Sequence, residues 1–300
     1  MKYQPKGQFL AGLSTLAIMI AALYGGAAAI ATVTPDPNKQ TAAIEKVLYP
    51  EELFLSQGQI IGKAAVVYDI TQRRVLFQKN ATDPLPLASL TKLITAHAAL
   101  AQHSGDTPVT VTHDDLKLYA DGGLRVGDKL TLSQLIKLGL VISSNSAMAA
   151  VANSLGSTSI DTINAHAGQL NLTQTVVYDP AGLDLSTTTA GAYGSAYDVA
   201  RMAGAFYAQH PEYFELTQSS SVSIPVKGHT VGGLATAAPL LSIPGLVGVK
   251  TGYTDLAGGN LVAVFDLEIG HPLVAVVLGS TQSGRFDDIR TLINAARSTP

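Results

Sequence analysis

The chain has 300 residues, 14% of them charged, and a formal net charge of −3 at pH 7. That length accommodates one large domain or two ordinary ones, and the slight acidity gives no electrostatic footing for a nucleic-acid partner. Cysteine is absent, which excludes a thiol nucleophile, disulfides, thiolate metal ligands and a lipid-modified N-terminal cysteine.

Lys2 and Lys6 precede an uncharged run from Phe9 to Val33. This is the pattern of a signal peptide, with Ala27-Ala28-Ala29 or Ala29-Ile30-Ala31 as a cleavage site, or of a single membrane anchor whose lysines stay on the cytoplasmic side. Residues 1–33 are therefore read as signal peptide or anchor, with a lean toward the anchor, and the rest of the chain is expected outside the cytoplasmic membrane, anchored or secreted. Residues 34–56 form a linker and lead-in, proline-rich at Pro35 and Pro37, with a candidate helix from Thr41 to Ser56.

The main domain is expected over residues 57–300. Ala64–Asp69 and Arg74–Gln78 read as a hairpin, and Asn80 to Pro86 as a loop. A helix-rich subdomain spans about residues 97–209. Within it Leu132–Ile142 is one helix, with Thr131 and Gln134 spaced as a capping box. Ser143-Ser144-Asn145 ends that helix, a second follows from Ala147 to Leu155, and another starts at Ser195. Strands return at Ser221–Val226, Leu246–Gly252, Gly259–Phe265 and Pro272–Gly279, and a helix closes the chain from Asp287 to Arg297. Strands at both ends with helices between them predict an α+β fold, a sheet domain with a helical subdomain inserted in the middle.

The chemistry centres on Pro86-Leu87-Ala88-Ser89-Leu90-Thr91-Lys92 at a predicted helix start. Residues three apart on a helix share a face, so Ser89 Oγ and Lys92 Nζ can meet. A hydroxyl attacks only once a base takes its proton, and a lysine in a dry, cation-rich pocket becomes such a base. The first-turn N–H groups suit a developing oxyanion. A chain of this composition offers about one Ser-x-x-Lys by chance, so the motif needs corroboration. It comes from Ser143-Ser144-Asn145 between two helices and Lys250-Thr251-Gly252 on a strand.

These three patterns, in this order, resemble the penicillin-recognising serine acyl-transferases: penicillin-binding proteins and active-site serine β-lactamases. Within that superfamily the chain is most similar to the low-molecular-mass D-alanyl-D-alanine carboxypeptidases. Asp179-Pro180-Ala181-Gly182-Leu183-Asp184 and Val249-Lys250-Thr251-Gly252-Tyr253-Thr254 add to the likeness, which runs from about Ala64 to Ala296.

The resemblance implies an α+β fold of the β-lactamase/transpeptidase-like kind, an antiparallel sheet flanked by helices with an inserted helical subdomain, and a division of labour. Ser89 attacks the carbonyl of the penultimate D-alanine of a peptidoglycan stem peptide, and Lys92 is its base. Ser143 relays the proton to the departing amine, and Asn145 holds a substrate amide and orients Lys92. Lys250, Thr251, Gly252, Tyr253 and Thr254 line the substrate strand, and the N–H groups of Ser89 and Tyr253 form the oxyanion hole. Arg285 matches a family position that binds the terminal carboxylate. The partners implied are stem peptides ending in D-Ala-D-Ala, β-lactams as covalent inhibitors and the membrane through the N-terminal segment. No cofactor or metal is called for.

The sequence departs from the family in two ways. A family histidine is Ala181 here, and many relatives carry a further β-rich domain and a C-terminal amphipathic anchor, so the N-terminal segment is expected to supply membrane attachment. The alternatives are a D,D-endopeptidase, a serine β-lactamase or an inactive peptidoglycan-binding homologue. A β-lactamase of the kind that uses a loop glutamate to activate water is disfavoured: between Asn145 and Lys250 the glutamates are Glu212 and Glu215, neither in a Glu-x-x-Leu-Asn setting. The seven histidines are scattered without metal-site spacing. Gly122-Gly123-Leu124-Arg125-Val126-Gly127 lacks a phosphate-loop ending and reads as a turn.

Overall fold

A computed structural model describes Leu53 and residues 55–117 and 121–298. The N-terminal apolar run and the linker lie outside these residues, as does nearly all of the candidate helix before Ser56. Among the described residues no helix is long and apolar enough to cross a membrane.

The framework is a five-stranded antiparallel sheet. Strands β1 (Ala64–Asp69) and β2 (Arg74–Lys79) form the expected hairpin. Short β3 (Leu85–Pro86), where only a loop was predicted, leads into the helical region. There lie α1 (Thr91–Gln102), β4 (Pro108–Thr110), β5 (Lys129–Thr131), α2 (Leu132–Val141) and α3 (Asn145–Asn153). They are followed by α4 (Ser159–Gln169), β6 (Val176–Val177), β7 (Ala192–Gly194), α5 (Ala196–Gln209) and α6 (Pro211–Leu216). The chain ends with the hairpin β8 (Ser221–Val226) and β9 (His229–Leu234), then β10 (Leu246–Thr254), β11 (Gly258–Asp266), β12 (Pro272–Ser280) and α7 (Gly284–Ser298). The main sheet runs β10-β11-β12-β1-β2, so the first hairpin closes onto the last strand and β10 is left as an edge.

Every residue of β1 is buried, and the period-two alternation of strands divides the core. Val66, Val262, Val264, Val274 and Val276 face the helical side with Leu93, Ile94, Leu135 and Phe206. Val67, Leu261, Ala263, Ala275 and Val277 face α7 through Ile289, Leu292 and Ile293. A sheet covered on both faces needs apolar residues at consecutive positions, which is why these strands read as continuous hydrophobic runs.

The capping box at α2 forms as the spacing predicts: Gln134 N–H donates to Thr131 Oγ1 at 3.2 Å, and Thr131 N–H donates to Gln134 Oε1 at 2.9 Å. The next helix begins earlier than its sequence suggests. Ser144 is its N-cap, accepting from Ala147 N–H at 3.0 Å, so Asn145 sits in the first turn of α3 and not in the preceding loop. The β8–β9 hairpin had only its first strand foreseen; β9 carries Gly232 and Gly233 in place of an alternating pattern.

Packing of α7 on the sheet is fixed by Asp288, which is buried and accepts from Ile61 N–H at 2.8 Å, Gly62 N–H at 2.9 Å and Ser280 Oγ at 2.6 Å. Asp288→Ala leaves two main-chain donors and a hydroxyl buried without their acceptor, and is expected to lower unfolding free energy by ~2–4 kcal/mol in urea titrations of the full chain. A loss under ~1 kcal/mol contradicts that placement.

Candidate active site

Ser89 lies in a 3-10 turn, Ala88–Leu90, that runs directly into α1. In that geometry side chains at i and i+3 nearly eclipse, and Lys92 Nζ stands 2.7 Å from Ser89 Oγ. The turn is entered through Ala88 at φ +48°, a left-handed conformation that costs a non-glycine residue energy. Neighbouring contacts hold it there. Leu87 N–H donates to Ala192 O at 3.0 Å, Asn260 Nδ2 donates to Pro86 O at 2.8 Å, and Thr91 Oγ1 donates to Ala88 O at 2.8 Å.

Lys92 is completely buried and has two further partners: Asn145 Oδ1 at 2.8 Å and Ala181 O at 2.9 Å. The Asp179–Leu183 stretch therefore reaches the site through its main chain, and Ala181 in place of a histidine leaves that contact intact. Asp179 shapes the stretch by accepting from Ala181 N–H and Leu183 N–H, each at 2.9 Å. Gly182, at φ +78°, passes so close to the serine turn that a Cβ on it would lie 2.0 Å from Ala88 O. Only glycine fits that crossing.

Ser143 is a second non-glycine residue at positive φ, +60°, in the turn between α2 and α3. Its Oγ receives a hydrogen bond from Lys250 Nζ at 2.9 Å, and Lys250 also donates to Thr251 O at 2.7 Å. Thr251 Oγ1 donates to Thr236 Oγ1 at 2.7 Å. Gly252 lets β10 approach the serine turn: a Cβ there would sit 3.2 Å from Ser89 N. Because β10 is the sheet edge, alternate backbone groups face away from β11 toward the same side as Ser89.

The structure thus brings Ser89, Lys92, Ser143, Asn145, Lys250 and the Thr251-Gly252 backbone together. Tyr253, 45% exposed, stands on the rim. Arg285 lies beside it, only 7% exposed, with one guanidinium nitrogen donating to Gly252 O at 2.5 Å and the group stacked 4.9 Å from the Phe286 ring centre. Its Nε is buried without a hydrogen-bond partner. Thr254 is placed differently from the expectation: its hydroxyl donates to Asp184 Oδ1 at 3.0 Å and accepts from Ala257 N–H at 3.2 Å, so it builds the β10–β11 turn. Asp121 and Thr236 escaped the sequence reading, because each acts through contacts between segments distant in sequence; Asp179 stood within a quoted motif, but its shaping of the Ala181–Leu183 backbone did not follow from residue identity. Among the described residues no cluster of three metal-ligating side chains exists.

Burial governs the electrostatics. It pushes Lys92 down to about 7, a fall that the carboxylates of Asp179 and Asp121 oppose. Lys250 is pushed well below the usual lysine value, first by burial, then by Lys92 and Arg285. Burial also lowers Arg285 from its ordinary value.

The profile of the D-alanyl-D-alanine carboxypeptidase family, peptidase S11, matches residues 51–282. The chain belongs to this family. It is 30% identical to the D-alanyl-D-alanine carboxypeptidase DacD of Salmonella typhimurium over 258 residues, covering 80% of this chain and 64% of that protein. With the Escherichia coli DacD it shares 28% identity over 245 residues, covering 76% and 61%. The chain therefore spans less than two thirds of the length of these family members. Among solved structures it resembles penicillin-binding protein D2 from Listeria monocytogenes in its ampicillin-bound form, with TM-score 0.68 and 28% identity over 79% of this chain and 97% of that one. It also shares the fold of a D-alanyl-D-alanine carboxypeptidase from Mycobacterium tuberculosis, with TM-score 0.73 at 24% identity, covering 81% and 94%.

A lysine held near neutrality is directly measurable. In NMR of the chain labelled at lysine Cε, one resonance, absent from Lys92→Ala, is expected to titrate at about 7. A Lys92 midpoint above about 9 contradicts the burial argument.

Proposed function

We propose that this chain is a serine D-alanyl-D-alanine carboxypeptidase that removes the terminal D-alanine from peptidoglycan stem peptides and is acylated by penicillin at Ser89. The observation that carries the reading is the environment of Lys92 Nζ. Of its three partners, Asn145 Oδ1 and Ala181 O only accept hydrogen bonds, while Ser89 Oγ also donates. A neutral amine with two N–H groups satisfies both obligate acceptors and turns its lone pair to the serine hydroxyl. That is the arrangement of a general base within reach of its nucleophile.

Ser89 Oγ attacks the penultimate D-alanine carbonyl carbon as its proton passes to Lys92. The N–H groups of Ser89 and Tyr253 receive the oxyanion; losing one such donor typically costs about 3 kcal/mol in the barrier. Collapse of the tetrahedral intermediate breaks the C–N bond, and a proton travelling through Ser143 Oγ leaves on the amine of D-alanine. Water then hydrolyses the ester and regenerates Ser89 and Lys92. In a β-lactam the departing nitrogen stays tethered to the acyl group, so the same first half-reaction leaves a covalent adduct.

The cations of Arg285 and Lys250, which lie within electrostatic range of each other, receive the substrate's free carboxylate together with Thr251. This favours removal of a terminal residue over cutting within a cross-link. The activity is assigned outside the cytoplasmic membrane, with the Phe9–Val33 run as signal or anchor.

The test incubates the full chain with a fluorescent penicillin and, separately, with diacetyl-Lys-D-Ala-D-Ala. Stable label that is lost in Ser89→Ala, together with free D-alanine, is expected; rapid turnover of the drug with no D-alanine overturns the reading in favour of a β-lactamase. Arg285→Ala is expected to lower kcat/KM for that peptide by ~100-fold, since a charge-assisted contact of ~2–3 kcal/mol is lost, and to leave an amidated peptide nearly unaffected. Equal losses on both peptides contradict a carboxylate-binding role.

A further inference from the structure

Asp121 stands at the start of α3, in a segment where the sequence offered only a glycine turn. Its carboxylate oxygens accept from three consecutive residues: the Ser144 hydroxyl, Asn145 N–H at 2.6 Å and Ser146 N–H at 3.3 Å. Ser144, itself the N-cap, passes the contact on to Ala147 N–H at 3.0 Å. A single side chain from outside the helix therefore holds the turn that carries both Ser143 and Asn145.

The carboxylate is anchored in turn. Gly122 and Gly123, at φ +65° and +77°, fold the chain back behind it. Gly122 O accepts from Gly232 N–H of β9 at 2.8 Å, and His229 of the same hairpin lies 3.1 Å from Asp128 Oδ2. The Gly122–Gly127 stretch, which matched no phosphate-loop pattern, is the turn that joins Asp121 to β5.

We propose that Asp121 is a positioning residue of this active site, whose carboxylate locks the Ser143–Ser144–Asn145 turn so that Asn145 Oδ1 meets Lys92 and Ser143 Oγ meets Lys250. The inference rests on the acyl-enzyme reading above. It has an electrostatic side as well. Lys92 is faced by Asp179 from the 179–184 stretch, by Asp121 from the segment between β4 and β5, and by Lys250 on β10, with Arg285 of α7 beyond it. Asp121 and Asp179 hold the Lys92 proton; burial expels it. Removing the Asp121 charge lowers the pH at which Lys92 becomes a neutral base, while loosening the turn slows the step that base performs. A residue that merely stabilised the fold would not move that titration.

The experiment compares the unaltered chain of residues 1–300 with Asp121→Asn, which keeps an acceptor and loses the charge. Three quantities are read: the penicillin acylation rate against pH, the Lys92 Cε titration by NMR, and the thermal midpoint. The expected result is a plateau rate at least ~10-fold lower, with the acid limb and the Lys92 titration both displaced downward by ~0.5–1 pH unit. An unchanged rate and titration overturn the proposal, as does a rate loss accompanied only by lower thermal stability with Lys92 unmoved. Should Asp121→Asn not fold, amide exchange in the wild type decides: slow exchange at Asn145 and Ser146 supports the lock, and exchange at the unprotected rate overturns it. Failure of the wild type to be acylated at all defeats the carboxypeptidase reading instead; the Lys92 titration and amide exchange still decide the role of Asp121.

Discussion

The site depends on burying two lysines side by side. Lys92 and Lys250 are each almost wholly removed from water, and each donates to hydrogen-bond acceptors that the fold supplies. Two buried cations in mutual range are costly, and a protein escapes that cost by pairing them with carboxylates or by letting a proton go. Here both happen in part. Asp121 and Asp179 lie near enough to moderate the penalty on Lys92, yet neither forms an ion pair with it; Asp121 gives both oxygens to the Ser144 hydroxyl and backbone N–H groups, and Asp179 Oδ1 accepts from Ala181 and Leu183 N–H. The result is a lysine kept near neutrality, where it can both accept and return a proton.

That compromise explains otherwise unfavourable local features. Ala88 and Ser143 adopt left-handed backbone conformations although neither is glycine, and each is adjacent to or part of the reactive constellation. Strain of this kind, of order 1–3 kcal/mol per residue, persists where surrounding contacts over-determine the conformation. Thr91, Asn260 and Ala192 do so around Ser89; Asp121 and Ser144 do so after Ser143. The glycines serve the same end from the other side. Gly182 and Gly252 let two backbone segments come within van der Waals contact of the serine turn; a side chain is excluded at Gly182, and a Cβ at Gly252 would crowd Leu87 O and Ser89 N. The five-stranded sheet contributes rigidity, since its edge strand carries Lys250 and Thr251 and is tied to α6 by Val249 N–H donating to Thr217 Oγ1 at 2.8 Å.

Much of this was legible before any coordinates. The β1–β2 hairpin, the α2 capping box and the strands β10 to β12 follow from alternation, spacing and turn residues, which act locally. So does the pairing of Ser89 with Lys92, three residues apart at a helix start. The start of α3 was misplaced because its cap is supplied in part by Asp121, more than twenty residues upstream, and no window around Ser144 contains that partner. Thr254 matched its motif neighbours in sequence but turns its hydroxyl to Asp184, a contact set by where the β10–β11 turn meets the loop after Gly182. Asp179 and Ala181 stood within a recognised stretch, yet their contribution is a main-chain carbonyl and its shaping carboxylate, which residue identity alone does not announce. Contacts that join distant segments are what the sequence pattern omits.

The central claim, that a lysine neutral at physiological pH activates Ser89, is tested most directly by measuring the rate of Ser89 acylation by benzylpenicillin by rapid-quench mass spectrometry from pH ~5 to ~9, a window that brackets the shifted lysine and excludes an ordinary one. The account predicts a rate that rises through a single ionisation at about 7 and then levels. A rate still climbing at the top of that window, or flat throughout, would contradict it.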